Sequence, residues 1–178
     1  TLRDPAMLPL IARAGCPYVL MHSRGTSHTM DALAEYGDVV AEVRAELQAS
    51  TDAALAAGVR PEQLIWDLGL GFAKTTEHNL ALLRGGGRGG GPGGGLGGVQ
   101  GLTNPDQPPY TSPYPVLVGP SRKRFIGAVL DEPRPRARLW GTAAVCALAV
   151  AAGARVLRVH DVGPIAQVAR LAQALSPR

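Results

Sequence analysis

Apolar residues in this chain form two kinds of run that alternate along its length. Short blocks without polar alternation, YVLM at 18–21, LIWD at 64–67, VLV at 116–118 and VLRV at 156–159, have the pattern of strands covered on both faces. Between them apolar residues recur at helical spacing. Leu8, Leu10 and Ile11 follow Asp4-Pro5, an N-cap with proline at the first helical position, and Gly15 closes that helix. Val39, Val40, Val43, Leu47 and Ala54 run on to a stop at Gly58, and Leu80, Leu82 and Leu83 follow Thr76 as cap. An Ala-rich helix from about Leu139 ends at Gly153, and Asp161 caps a last helix through Ile165, Val168, Leu171 and Leu175. Strands alternating with helices imply βαβ units with parallel strands, four of them here. A doubly wound open sheet and a (β/α)8 barrel both satisfy that order.

Polar groups fall at the C-terminal end of every strand: His22, Asp67, the Ser121–Lys123 segment, and Arg158 with His160. In a barrel that end carries the chemistry. The apolar block at 116–118 runs through Gly119 and Pro120 into Arg122, Lys123 and Arg124. Three cations beyond a buried strand require solvent or an anion to compensate them. Arg158 and His160 are two apart on an extended segment and share a face. The helix opened by Asp161 points its first N–H groups at the same spot, and the set suits a diphosphate. A structural Arg–Asp pair is the plain alternative for RVHD.

Composition narrows the classes. A chain of 178 residues with 46% hydrophobic content supports one domain with a real core over 1–178. A net charge of +4 and a pI near 9.5 favour an anionic partner without separating nucleic acid from a phosphorylated metabolite. Residues 85–114 are Gly- and Pro-rich with little to bury, so they are expected to form a disordered insertion. That segment lacks the repeated Arg and aromatic residues of RNA-binding tracts, and no nucleic-acid partner is expected. No apolar run reaches the ~18 residues of a membrane span, so no membrane role is expected either. Cys16 and Cys146 have no metal or redox spacing and are expected to be small buried hydrophobes. The chain begins TLRDPAML, without an initiator Met or signal-peptide pattern, as a portion of a longer protein would.

Four segments carry a family likeness: MHSRG from 21, WDLGLGFAKTTEHN from 66, LVGPSRKRFIG from 117 and RVHDV from 158. In this order and at strand ends they resemble dihydropteroate synthase, of the pterin-binding barrel family, over nearly the whole chain outside the Gly-rich insertion. The resemblance implies the C-terminal half of a (β/α)8 TIM barrel, about four βα units corresponding to strands five to eight. It implies transfer of a pterinylmethyl group from 6-hydroxymethyl-7,8-dihydropterin diphosphate to 4-aminobenzoate, with loss of pyrophosphate and with Mg2+ as the divalent ion. By matching position, Asp67, Lys123, Met21 and Arg158 would bind pterin. Arg158 and His160 would bind diphosphate, Phe72 and Ser121 would bind 4-aminobenzoate, and Lys123, Arg158 and His160 would be the catalytic groups. Arg122 and Arg124 are expected to pair with neighbours or stay solvated. Met21 and Phe72 also fit plain core roles, and His22 fits a structural role as well as a catalytic one.

Departures from the family pattern are Leu68 in place of proline, Ala73 where glycine is frequent, and Ser23 after the Met-His pair. The family's metal-binding asparagine and two further pterin-binding residues belong to strands one to four, and none of the matching motifs here supplies them. The 178 residues alone are therefore expected to be inactive and poorly soluble. The resemblance further implies a homodimer in the complete protein, an upstream pyrophosphokinase domain in some relatives, and a mitochondrial location in plants or a cytoplasmic one in bacteria. Competing readings are a methyltetrahydrofolate–corrinoid methyltransferase domain, which needs no diphosphate grip, and a non-catalytic half-barrel module.

Overall fold

Strands and helices alternate as the hydrophobic pattern requires in a computed structural model that describes residues 4–84 and 112–176. In chain order they are α1 (Met7–Ala14), β1 (Tyr18–Met21), α2 (Val39–Ala56), β2 (Leu64–Asp67), α3 (Thr76–Arg84), β3 (Val116–Val118), α4 (Arg124–Leu130), α5 (Leu139–Ala151), β4 (Val156–Leu157) and α6 (Val162–Leu175). The strands pair in the order β1-β2-β3-β4, all parallel. A doubly wound sheet reverses direction at a switch point, whereas successive strands added on one side are the winding of a barrel wall. The open alternative is thereby decided in favour of barrel-type βα units.

Burial follows the pattern. On α2, Val39, Val43, Leu47, Thr51 and Ala54 form one buried stripe. Thr51, the polar member, accepts the Trp66 indole N–H at 2.9 Å, so neither group is left unpaired inside. Asp38 caps α2 by accepting from the amides of Val40 (3.0 Å) and Ala41 (3.1 Å). Gln63 ties the end of α1 to the start of β2 through the carbonyls of Ile11 (3.0 Å) and Cys16 (2.8 Å). Gly15 closes α1 in the left-handed conformation, its N–H bonded to Ile11.

Several local expectations change. β4 stops at Leu157, two residues early, although the Arg158 N–H still donates to Val118 at 3.1 Å. Residues 124–130 form a helix that the short apolar spacing of RFIG did not reveal. Asp161 sits at the N-cap position of α6 but makes no cap bond; its carboxylate is taken by Arg122. Thr75 rather than Thr76 caps α3: its hydroxyl accepts from the His78 N–H at 3.2 Å while the His78 ring accepts from the Thr75 N–H at 3.3 Å. Cys146 is buried as expected, but Cys16 is exposed because it lies in the turn before β1. Of the expected disordered insertion at 85–114, residues 85–111 lie outside the described residues. Tyr114 is half-buried against Trp66, with ring centroids 5.6 Å apart.

Candidate active site

The parallel register sets the site. Met21 pairs with Asp67 and Asp67 with Leu117, so the Met21 and Asp67 side chains leave the same face at neighbouring strand ends. Asp67 is 1% exposed. Its Oδ1 accepts the Gly69 N–H at 2.8 Å, which closes a tight turn directly after β2. Gly69 is irreplaceable there. It has φ +64°, and a Cβ at this position would lie 1.8 Å from the His22 carbonyl oxygen.

The second Asp67 oxygen, Oδ2, faces Arg158 Nη2 at 3.3 Å but makes no hydrogen bond. The contact is electrostatic and poorly aligned, so this buried oxygen keeps acceptor capacity. Gly119, after β3, makes the approach possible: a Cβ there would lie 3.2 Å from the Arg158 guanidinium. Burial pushes the Asp67 pKa up, while the Gly69 N–H and the charges of Arg158, Lys123 and Lys74 pull it back.

Lys123 follows β3, with its ammonium 4.1 Å from the centre of the Phe72 ring. Burial, then the charge of Arg158, draw its pKa below that of an ordinary lysine, with Asp67 opposing. Gly71 leaves space for its stem, since a Cβ there would stand 3.0 Å from Lys123 Cδ. Ser121 is buried and bonds His160: its Oγ accepts the His160 N–H at 3.2 Å and lies 2.8 Å from His160 Nδ1. The two contacts hold the exposed His160 ring by its Nδ1 edge and turn Nε2 away from Ser121.

The structure thus brings Asp67, Arg158, Lys123 and Phe72 together and joins Ser121 to His160. It places Met21 beside Asp67 in register. Arg122 pairs with Asp161 at 2.9 Å and Arg124 with Asp31 at 3.0 Å, so both cations find neighbouring partners as expected. A groove of about 750 Å³ leads outward from Phe72 and Lys123 between the 27–34 segment and α4, with Asp67 and Arg158 beyond its lining.

Three residues in this region were not singled out from sequence. Buried Arg138 donates to the carbonyls of Arg122 (3.0 Å), Glu132 (2.9 Å) and Pro133 (2.6 Å), holding the turn before Lys123. Buried Asn79 accepts the Gly71 N–H at 2.7 Å. Lys74 is buried beside His22. Lys74 and Asn79 fall within the WDLGLGFAKTTEHN motif, but a polar residue's burial is invisible until the chain folds. Ala73, where glycine was the expected family residue, has φ +48°, a conformation that favours glycine.

A parallel βα array with a buried carboxylate, two facing cations and a serine–histidine pair at its strand ends defines a barrel-type site for a small, anionic, hydrogen-bonding ligand. The chain belongs to the pterin binding enzyme family, whose model matches residues 1–160. It is 44% identical over 172 residues to dihydropteroate synthase of a Synechocystis strain, covering 97% of this chain and 53% of that protein. It superposes on the structure of Thermus thermophilus dihydropteroate synthase in complex with 4-aminobenzoate with a TM-score of 0.78 at 40% identity, covering 99% of this chain and 63% of the other. A structure of the same enzyme in complex with 6HMPPP matches with the same TM-score, 0.78, and covers 62% of that chain. The similarity to dihydropteroate synthase expected from the motifs is borne out. The chain spans about half the length of the curated relatives it matches, which fits the expected half-barrel.

Proposed function

We propose that this chain supplies the C-terminal half of a dihydropteroate synthase site, which condenses 6-hydroxymethyl-7,8-dihydropterin diphosphate with 4-aminobenzoate in the full-length protein. The observation that carries this reading is the buried Asp67 Oδ2, an ionisable acceptor without a hydrogen bond and faced by Arg158. A carboxylate of this kind suits a heterocycle edge that presents N–H and NH2 side by side. Lys123 stands across from it to donate to the carbonyl and ring nitrogen of the same heterocycle.

In the reaction, the bond between the pterin methylene and the diphosphate oxygen breaks, the 4-aminobenzoate nitrogen bonds that methylene, and the amine proton leaves to solvent. Negative charge gathers on the departing pyrophosphate. In this reading Arg158 and His160, at one strand end, receive it. Ser121 fixes His160 through Nδ1 and so aims Nε2; its own role toward the 4-aminobenzoate carboxylate is part of the same proposal. Phe72 walls the groove through which that substrate enters, and Met21 supports the pterin ring.

Mg2+ belongs to the reading through the diphosphate. Among the described residues there is no group of three or more His, Cys, Asp or Glu placed to hold a metal, and no step above runs through the ion. A homodimer of the complete protein and an upstream pyrophosphokinase domain complete the proposal. Exposed Trp140 on α5 and Leu171 and Leu175 on α6 support the former. In support of the latter, the chain covers only 21% of the Pneumocystis carinii Folic acid synthesis protein fol1.

The test is pyrophosphate release by the full-length protein given both substrates. Release that requires 4-aminobenzoate and is abolished in Arg158→Ala is the expected result. Absence of release, with methyl transfer from methyltetrahydrofolate in its place, would overturn the reading.

A further inference from the structure

Lys74 is 8% exposed at the end of the turn that follows β2. Taking an ammonium out of water costs several kcal/mol, and an aliphatic side chain would fill the same space without that cost. The ammonium has three acceptors: the carbonyls of Phe72 at 3.0 Å and Gly69 at 3.2 Å, and His22 Nδ1 at 2.8 Å. His22, also buried, contacts Glu46 Oε2 through Nε2 at 3.0 Å. A carboxylate only accepts, so Nε2 carries the hydrogen and Nδ1 is left to accept from Lys74. Glu46, half exposed on α2, is itself held by Arg24, which also pairs with Glu42 at 2.7 Å. The line from α2 to the turn is therefore Glu46, His22, Lys74, then two backbone carbonyls.

Those carbonyls belong to the segment whose two ends matter. Gly69 O also accepts the Phe72 N–H at 3.0 Å, and Gly69 N–H holds the Asp67 carboxylate at 2.8 Å. The Asp67 carbonyl in turn accepts the His22 N–H at 2.9 Å. Asp67 at one end and Phe72 at the other are thus tied to a single buried cation. We propose that Lys74 is a positioning residue: anchored to Glu46 through His22, it clasps the Gly69 and Phe72 carbonyls and fixes the turn that sets Asp67 and the Phe72 ring. The catalytic consequence rests on the synthase reading above; the clasp does not. Burial draws Lys74 down to about 7 and His22 to about 4, which agrees with neutral His22 as the acceptor.

The experiment compares full-length wild type with Lys74→Met, Glu46→Gln and the double variant, reading amide hydrogen exchange over 68–73 and steady-state kinetics. Glu46→Gln lies away from the turn on a half-exposed helix face and leaves Arg24 its Glu42 partner, so it tests the anchor even where Lys74→Met folds poorly. Exchange at Gly69, Gly71 and Phe72 is expected to rise about tenfold in each single variant without matching change in α5. The double variant should add little to Lys74→Met, as for links in one chain. KM for the dihydropterin diphosphate should rise about tenfold with kcat changed much less. Unchanged exchange in the turn, additive effects in the double variant, or a lower melting temperature with unaltered KM would each overturn the proposal. A wild type without synthase activity whose turn still loosens in both variants would support the clasp and refute the functional reading alone.

Discussion

Asp67 and Arg158 meet at 3.3 Å across the ends of β2 and β4, yet the aspartate oxygen in that contact is buried without a hydrogen bond. An ion pair evolved only to join two strands would be aligned, because a buried carboxylate gains most from well-directed donors. The misaligned pair leaves Oδ2 with unused acceptor capacity, which is what the proposed ligand contact requires.

Asp67→Asn should therefore separate charge from shape. The amide keeps the volume but presents one acceptor where the carboxylate presents two. Affinity of the full-length protein for the dihydropterin diphosphate should fall by about 1–3 kcal/mol, or roughly fivefold to 150-fold. Isothermal titration checks this, and an unchanged Kd would remove Asp67 from the ligand.

Lys123→Met keeps the aliphatic stem against Gly71 and Phe72 while deleting the ammonium. A drop in kcat/KM of at least about tenfold is expected, from a lost charged hydrogen bond of about 1.5–3 kcal/mol. Steady-state kinetics would show it, with melting temperature as the control for folding.

Gly69→Ala should be severe. It places a Cβ 1.8 Å from a backbone oxygen and demands φ +64° of a residue that rarely adopts it. The left-handed conformation alone costs about 1–2 kcal/mol, and the clash forces β1 and β2 apart. Denaturant unfolding should show a loss beyond that figure.

Acid should weaken the fold through His22. Burial and the neighbouring Lys74 charge hold its pKa down at about 4, against 6.5 for an ordinary histidine. Between those two values the unfolded chain binds a proton that the folded chain does not, so stability falls as pH drops from 6.5 to 4 and the His22 contribution is constant outside that window. Glu46, whose pKa is lowered from 4.5, adds a further loss when it is protonated at still lower pH. Urea unfolding at successive pH values should show that slope in wild type and a smaller one in His22→Gln.

Local chemistry made much of this legible from sequence. The blocks YVLM, LIWD and VLV specify strands because no polar residue interrupts them, and they fold as strands at those bounds. Asp67, Lys123, Arg158 and His160 stood out because polar groups at the ends of buried strands must find a partner, solvent or a ligand there. What pairs with what was a different matter. RVHD put Arg158 and His160 on one face but could not name their partners, which are Asp67 for the one and Ser121 for the other, just past the end of β4 at Leu157. Asp161 had the ideal chemistry for a helix cap, yet Arg122, 39 residues away in sequence, competes for its carboxylate and wins.

Sequence by itself determined the βα order, the apolar faces and the family, since period, turn residues and motif spacing act within a few residues of one another. Only tertiary structure decided the sequential strand order, the bare oxygen of Asp67 and the buried path from Glu46 to Lys74. Each of these depends on which distant groups are pressed together and cut off from water, and a buried charge takes its meaning from the neighbours that replace its solvent.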